Sequence, residues 1–241
     1  MADAIYPNAL RKNYFANTYC EMAMESYYNA KDSYWRIKKD NYSGERTHEL
    51  GEMEKQVISA VVFSAMCIES FFNDYSAACL GDVEFYDNFD KLSVISKFQL
   101  IAQFILKKDI DKSKSYYSRL KQLIKNRDNY VHNKSRFHEF QGYSKEEYEQ
   151  IERIKKDADE EYIEYNFSKV SVDDTFNQSL NALKAIYDIA IFFDLYDTNT
   201  HAVDRLFWPS GIVFGESWER KVKKTVFRDL GIKVNEDDII S

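Results

Sequence analysis

An arginine, an aspartate and a histidine lie within six residues of one another on a predicted helix that spans residues 115–134. Arg127 falls in the apolar stripe of that helix, three residues after Ile124, where an unpaired charge would be expensive to bury. Arg127 must therefore meet an acid or line a polar cleft. Asp128 and His132 are four residues apart, a spacing that lets a carboxylate hold an imidazole and bias its charge.

A second predicted helix, residues 52–80, carries an acid within its apolar face. Glu69 follows Ala65 by four residues, and Asn73 comes one turn later. The pattern makes Glu69 a candidate inward acid and Arg127 a candidate inward base. Two interpretations stay open: a buried ion pair that fixes the register of two helices, or a polar pair, Glu69 and Asn73, that orients Arg127 at the edge of a site.

Charge is distributed unevenly along the chain. Residues 97–136 contain eleven Lys or Arg and three Asp, a local charge of +8, whereas the whole chain carries −7. Residues 139–174 contain twelve acids and five bases. Two solvated helix faces of opposite sign would account for this pattern. The alternative is a basic surface around the predicted helix 115–134 that binds a polyanion.

The segment Lys125–Lys134, Lys-Asn-Arg-Asp-Asn-Tyr-Val-His-Asn-Lys, resembles the signature of the HEPN superfamily (higher eukaryotes and prokaryotes nucleotide-binding). In that signature an Arg precedes a polar residue and, a few positions later, a His. Here four residues separate Arg127 from His132. The segment Ser64–Tyr75 is similar to the family helix in which a Glu precedes an Asn by four residues. The resemblance covers about residues 11–136 and departs from the family at the polar position, where Asn is commoner than Asp.

The resemblance implies a helical bundle that dimerises, so that two Arg–His motifs face each other across a cleft. Many members cleave RNA without metal, as toxins or antiviral-defence effectors, and others only bind RNA, a nucleotide or a protein. Carried over to this chain, Arg127 would hold the scissile phosphate, His132 would be the general acid or base, and Asp128 would orient His132. Glu69 and Asn73 would support Arg127. The candidate RNA-binding residues beside them are Lys121, Lys125, Asn129, Tyr130, Lys134 and Arg136.

A single helix makes a poor site from these residues. Five positions put Arg127 and His132 roughly 140° apart around an ideal helix. A second copy across a two-fold axis would bring the two groups together, so the sequence predicts a homodimer with RNA as substrate. The resemblance also allows for an antitoxin or another partner subunit.

The elements that position these residues are predicted to be helices. Seven Gly and two Pro in 241 residues are too few for the turns of a sandwich, a barrel or a doubly wound sheet. Apolar spacing predicts helices over residues 8–39, 52–80, 93–108, 115–134 and 171–197, with a loop over 40–51 and a polar connection over 82–90.

The sequence therefore predicts an all-α, up-and-down bundle of HEPN type. Residues 1–197 form the bundle as a single domain, and residues 198–241 form an extension that packs on it and contains a short basic helix. The chain is long enough to bury a large core.

We expect a cytoplasmic protein without a membrane partner. Three cysteines at wide spacing make no disulfide framework, and the start of the chain lacks the features of a secretory signal. Polar residues such as Glu69 and Asn73 within the apolar stretch 57–80 argue against a membrane span. The motif Glu45-Arg-Thr-His48 has no second copy, which a di-iron site would need, so neither a metal nor another cofactor is expected.

Overall fold

Apolar residues at three- and four-residue spacing fold into helices throughout the described part of the chain. The computed structural model describes residues 14–39, 43–132, 172–207 and 218–232, and no strand occurs among them. The helices are α1 (Tyr14–Lys39), α2 (Ser43–Leu80), α3 (Asp82–Glu84, followed by a π-helical turn over Phe85–Phe89), α4 (Val94–Leu100, followed by a π-helical turn over Ile101–Ile105), α5 (Ser115–Val131), α6 (Val172–Tyr196), α7 (Ala202–Phe207) and α8 (Trp218–Leu230). The predicted all-α bundle is confirmed.

Helix α2 is the central helix, and it packs against α1, α4, α5 and α6. Its Phe72 side chain is fully buried and stacks on Phe98 of α4 and Phe193 of α6, with ring centroids 5.5 and 5.8 Å apart. Burying one such side chain contributes roughly 1.5–3 kcal/mol. The helix ends at Leu80 as predicted, because Gly81 adopts a positive φ of 86°, a conformation that glycine reaches without strain.

The C-terminal helices pack on the same bundle. Helix α7 contacts α1 and α6, and α8 contacts the same two helices. The carboxylate of Asp194 on α6 accepts hydrogen bonds from the backbone N–H groups of Ala202 and Val203, which begin α7. At the far end of α8, Asp229 accepts from the Tyr27 hydroxyl at 2.7 Å and pairs with Lys31, both on α1.

The predicted loop over residues 40–51 is wrong from Ser43 onward, where α2 already begins. Leu50, three residues before the buried Met53, packs against the core, so the apolar face of α2 extends before the predicted start of the helix. Arg36 of α1 pairs with Glu49 in this stretch, and packing of α2 on α1 outweighs the weak helix propensity of the glycines.

Three other features of the secondary structure also differ from the predictions. The predicted polar connection over 82–90 is helical up to residue 89. Helix α5 ends at Val131, before the predicted end at Lys134. Helix α7 falls in a stretch for which no helix was predicted. Most of the acidic stretch 139–174 and, within the predicted extension 198–241, residues 208–217 and 233–241 lie outside the described residues.

Helix α2 has the length and composition of a membrane span over His48–Leu80. The core helix of a protein in water meets the same two criteria, and half of the most apolar window of α2 is buried within the fold.

Asp229 provides a test of how α8 is held. Burial alone would raise the pKa of this carboxyl, but the hydrogen bonds from Lys31 and Tyr27 hold the pKa below its usual value. We expect Asp229→Asn to lower the free energy of unfolding by about 1–2 kcal/mol at neutral pH, measured by denaturant titration. The exposed Asp204 of α7 is the control, and Asp204→Asn should change little.

The pH dependence follows from the direction of that pKa shift. Because the folded pKa of Asp229 lies below the unfolded one, its contribution is complete above the unfolded pKa of about 4 and is lost as pH falls through the folded value. The wild type and Asp229→Asn should therefore converge in stability at low pH. A difference that persists unchanged in acid would contradict this account.

Candidate functional site

Three helices bring five polar side chains together beside the core. Helix α2 supplies Glu69 and Asn73, α4 supplies Lys97, and α5 supplies Arg127 and Asp128. We call these five residues the polar cluster. The predicted approach of Glu69 to Arg127 is present in it, because both lie on the inner sides of helices that pack against each other.

Arg127 meets two acids, and neither contact is a hydrogen bond. Its Nη1 atom lies 3.9 Å from Oε2 of Glu69, and its Nε atom lies 2.9 Å from Oδ1 of Asp128. The Nε group is buried without a hydrogen-bond partner, so the short contact with Asp128 is ionic but poorly directed. A quarter of the Arg127 side chain is exposed. In the described part of the chain, the guanidinium therefore keeps N–H donors for a ligand.

Lys97 is the member of the polar cluster that the sequence analysis missed. Its side chain is 1% exposed, and its ammonium group donates a hydrogen bond of 2.7 Å to Oδ1 of Asn73. The same Nζ atom lies 3.8 Å from Oε1 of Glu69. A signal was available: Lys97 follows Val94 by three residues and precedes Ile101 by four, and both neighbours are buried.

His132 lies just beyond α5 and is exposed. Its backbone N–H donates to the carbonyl of Asp128 at 3.1 Å, which closes the last turn of the helix. The Asp128 carboxylate contacts Arg127 instead of the imidazole, and the structure shows no side-chain hydrogen bond or ion pair between Asp128 and His132. The predicted role of Asp128 in orienting His132 is thus not seen, because the guanidinium of Arg127 competes for the same carboxylate.

The candidate RNA-binding residues fall into three groups. Lys121, Lys125 and Asn129 are exposed and follow one another at four-residue intervals, so they form one line along α5. We call these three residues the α5 line. Tyr130 is half-buried, and its hydroxyl donates to Gln178 of α6 at 2.7 Å. Lys134 and Arg136 lie outside the described residues.

Tyr130 thus ties α5 to α6 through its hydroxyl. Burial raises the pKa of Tyr130, and the charge of Glu54 raises it further. The phenol therefore stays neutral over the range in which an imidazole titrates. These contacts favour a packing role for Tyr130 over base stacking.

A metal site does not emerge from the described residues. Within them, no three His, Cys, Asp or Glu side chains are grouped closely enough to hold an ion. The polar cluster itself contains two cations and two carboxylates, and a carboxylate already engaged by two cations is a weak metal ligand.

Comparisons of the chain with protein-family models, with curated proteins and with solved structures find no match. The functional inference therefore depends on the chemistry and placement of the residues described above.

The stability cost of removing Arg127 separates a site residue from a structural ion pair. The acid contacts of Arg127 lack hydrogen bonds, so we expect Arg127→Ala to cost less than about 1 kcal/mol in unfolding free energy. Removal of Arg127 also leaves Glu69 beside Lys97, so no isolated acid results.

Arg119 on the same helix is the matched control. It donates a hydrogen bond to Asp188 of α6, whose side chain is only 20% exposed, and the pair joins two helices. Arg119→Ala should therefore cost more, about 1–2 kcal/mol, in the same denaturant titration. A larger loss for Arg127→Ala than for Arg119→Ala would assign Arg127 a structural role.

Proposed function

We propose that the chain is a metal-independent endoribonuclease of HEPN type, active as a cytoplasmic homodimer and acting as a toxin or antiviral-defence effector. The observation that carries the proposal is the state of Arg127. This guanidinium is flanked by Glu69 and Asp128 and is partly exposed, and it makes no hydrogen bond within the described residues. His132 lies close by on the same segment and is exposed.

Arg127 has the properties of a phosphate ligand. A guanidinium is planar, stays charged at any physiological pH and presents paired N–H donors that match two phosphate oxygens. When the 2′-hydroxyl of RNA attacks the adjacent phosphorus, negative charge grows on the non-bridging oxygens. Donors aimed at those oxygens lower the barrier most if they are fixed beforehand. Glu69 and Asp128 on either side of Arg127 would restrict its orientation in this way.

His132 would move the protons. A neutral imidazole accepts the proton of the attacking 2′-hydroxyl, and an imidazolium donates a proton to the 5′-oxygen as the P–O5′ bond breaks. The products are a 2′,3′-cyclic phosphate and a 5′-hydroxyl, and no metal is required. Since one imidazole cannot be in both states at once, two copies of His132 at a shared cleft would supply the base and the acid.

The α5 line would hold the strand on the His132 side of α5, because Lys125 precedes His132 by two helical turns and lies about 160° around the helix from Arg127. Lys121 and Lys125 supply positive charge for the phosphate backbone, and Asn129 supplies an amide for hydrogen bonds. All three are exposed on the helix that carries Arg127. This arrangement supports RNA over a small uncharged ligand.

A second candidate function is supported by the contact between Asp128 and Arg127. That contact leaves the His132 imidazole without a described residue that orients it. A bundle that binds RNA, a nucleotide or a protein without cleaving it needs Arg127 and the α5 line but not an oriented imidazole. The net charge of −7 also suits a protein partner.

Cleavage in the presence of EDTA tests the proposed activity. Purified protein should cut tRNA or total RNA, and the products should carry 2′,3′-cyclic phosphate ends. Arg127→Ala and His132→Ala should each lower the rate by about a hundredfold or more, whereas Arg205→Ala, an exposed arginine of α7, should not.

The mass of the active species is measured on the same samples by light scattering. It should be twice that of the 28.5 kDa chain. Cleavage that survives both site substitutions, or activity from a monomer, would refute the mechanism.

Binding of a fluorescent RNA oligonucleotide distinguishes the two candidate functions. If the chain is a nuclease, His132→Ala should bind RNA about as tightly as wild type but not cut it, and Arg127→Ala should bind about tenfold more weakly. A wild type that binds RNA, loses affinity on Arg127→Ala and never cuts any RNA would establish the binding module instead. A wild type that neither binds nor cuts RNA would contradict the RNA-directed forms of both.

A further inference from the structure

Lys97 is an unusual residue to find in the core. Among the described residues, it is the only Lys, Arg, Asp or Glu that is buried. An ammonium group is costly to remove from water, and a hydrocarbon side chain of similar volume would pack there at a lower cost in free energy. What a lysine provides at this position is therefore its polar contacts.

The surroundings fix Lys97 firmly. Ser93 caps α4 by accepting a hydrogen bond from the Ser96 N–H, and the neighbouring Phe98 ring stacks on Phe72 of α2. The ammonium group then donates to Asn73, one turn beyond Glu69 on α2. The cation is thus held in place by α4 on one side and α2 on the other.

The Glu69 carboxylate lies between two cations at almost equal distances. One oxygen is 3.8 Å from Nζ of Lys97, and the other is 3.9 Å from Nη1 of Arg127. Because Coulomb attraction falls with distance, two unit charges at these separations attract the carboxylate about equally. Both separations also exceed hydrogen-bond length, so Glu69 is bonded to neither cation.

Lys97 therefore opposes the collapse of Glu69 onto Arg127. A carboxylate facing a lone arginine usually forms two parallel hydrogen bonds with its N–H groups at about 2.7–2.9 Å. Such a pair would occupy the donors that a phosphate needs. With Lys97 present, Glu69 remains close enough to restrict Arg127 and far enough away to leave its donors unoccupied.

We infer that Lys97 is a positioning residue, which keeps the Arg127 guanidinium available to a phosphate by holding Glu69 back. The effect on RNA rests on the proposed function, whereas the effect on the Glu69–Arg127 pair does not. Loss of Lys97 should therefore weaken RNA binding only while Glu69 keeps its charge.

The test compares Lys97→Met, Glu69→Gln and the double variant in RNA binding. Lys97→Met should weaken binding of the fluorescent RNA about tenfold, because Glu69 then competes with phosphate for Arg127. Adding Glu69→Gln should restore affinity to within about threefold of wild type, since an uncharged amide competes poorly. A lysine with a merely structural role would not be rescued in this way.

A readout that needs no RNA is the Arg127 Nη–H signal in ¹⁵N-labelled protein, assigned by its loss in Arg127→Lys, because Nη1 is the group that faces Glu69. In Lys97→Met this signal should shift and its exchange with water should slow, as Arg127 becomes bonded to Glu69. The double variant should reverse both changes. If wild type binds no RNA, the proposed function fails and this spectrum still decides the role of Lys97.

Two further variants keep the test decisive. Lys97→Gln removes the charge but retains a donor for Asn73, so it serves if the methionine variant does not fold. Lys55→Met removes an exposed lysine fourteen residues before Glu69 on the same helix, about 21 Å away, and should change neither readout. An unchanged Arg127 signal in both Lys97 variants, or no rescue by Glu69→Gln, would overturn the inference.

Discussion

The high cost of burying an unpaired charge constrains this bundle more than any other interaction. Lys97 is buried in the fold, and Arg127 enters the same region from another helix. The ammonium group of Lys97, which is 1% exposed, is the costlier of the two to bury and needs polar partners. One carboxylate, Glu69, faces both of them, so its position sets the state of each. The central helix is therefore both the core of the fold and the support of the candidate site.

Core packing and site geometry are consequences of the same helix contacts. Phe72 of α2 and Phe98 of α4 stack with an interplanar angle of 12°. Asn73 follows Phe72 and Lys97 precedes Phe98, and these two adjacent residues form the hydrogen bond beside that stack. A shift of α4 that disturbed the aromatic pair would therefore also move the ammonium group. The apolar contacts thus supply the rigidity that the polar cluster needs.

Much of the fold could be predicted from the sequence, because apolar periodicity reports directly which face of a helix is buried. The same rule indicated that Arg127 lies in the apolar stripe of its helix and must meet an acid or line a polar cleft. It failed at the start of α2, where glycines suggested a loop although Leu50 continued the face that packs against the core. Lys97 was missed because a count of charges ignores where each charge falls on its helix.

The Asp128 contact shows a different limit of sequence reasoning. Spacing along a helix identifies which side chains are able to meet. It does not show which of two available partners a side chain contacts. Spacing alone favours the pair of Asp128 with His132, four residues later, over a contact with the adjacent Arg127, because neighbouring residues on a helix do not face each other. In the structure the Asp128 carboxylate contacts Arg127, and α5 ends at Val131, before His132. Competition of this kind is settled only by three-dimensional placement.

The polar cluster has no net charge, so it contributes little to the long-range attraction of a polyanion. Two cations and two carboxylates sum to zero, so the cluster itself exerts little long-range attraction on a polyanion. Attraction must come from exposed charges such as those of the α5 line, whose effect salt screens. A neutral cluster instead acts at short range, where the orientation of one guanidinium matters more than net charge. Under the proposed function, long-range attraction of RNA would therefore depend on the α5 line, and the fit of a bound phosphate would depend on Arg127.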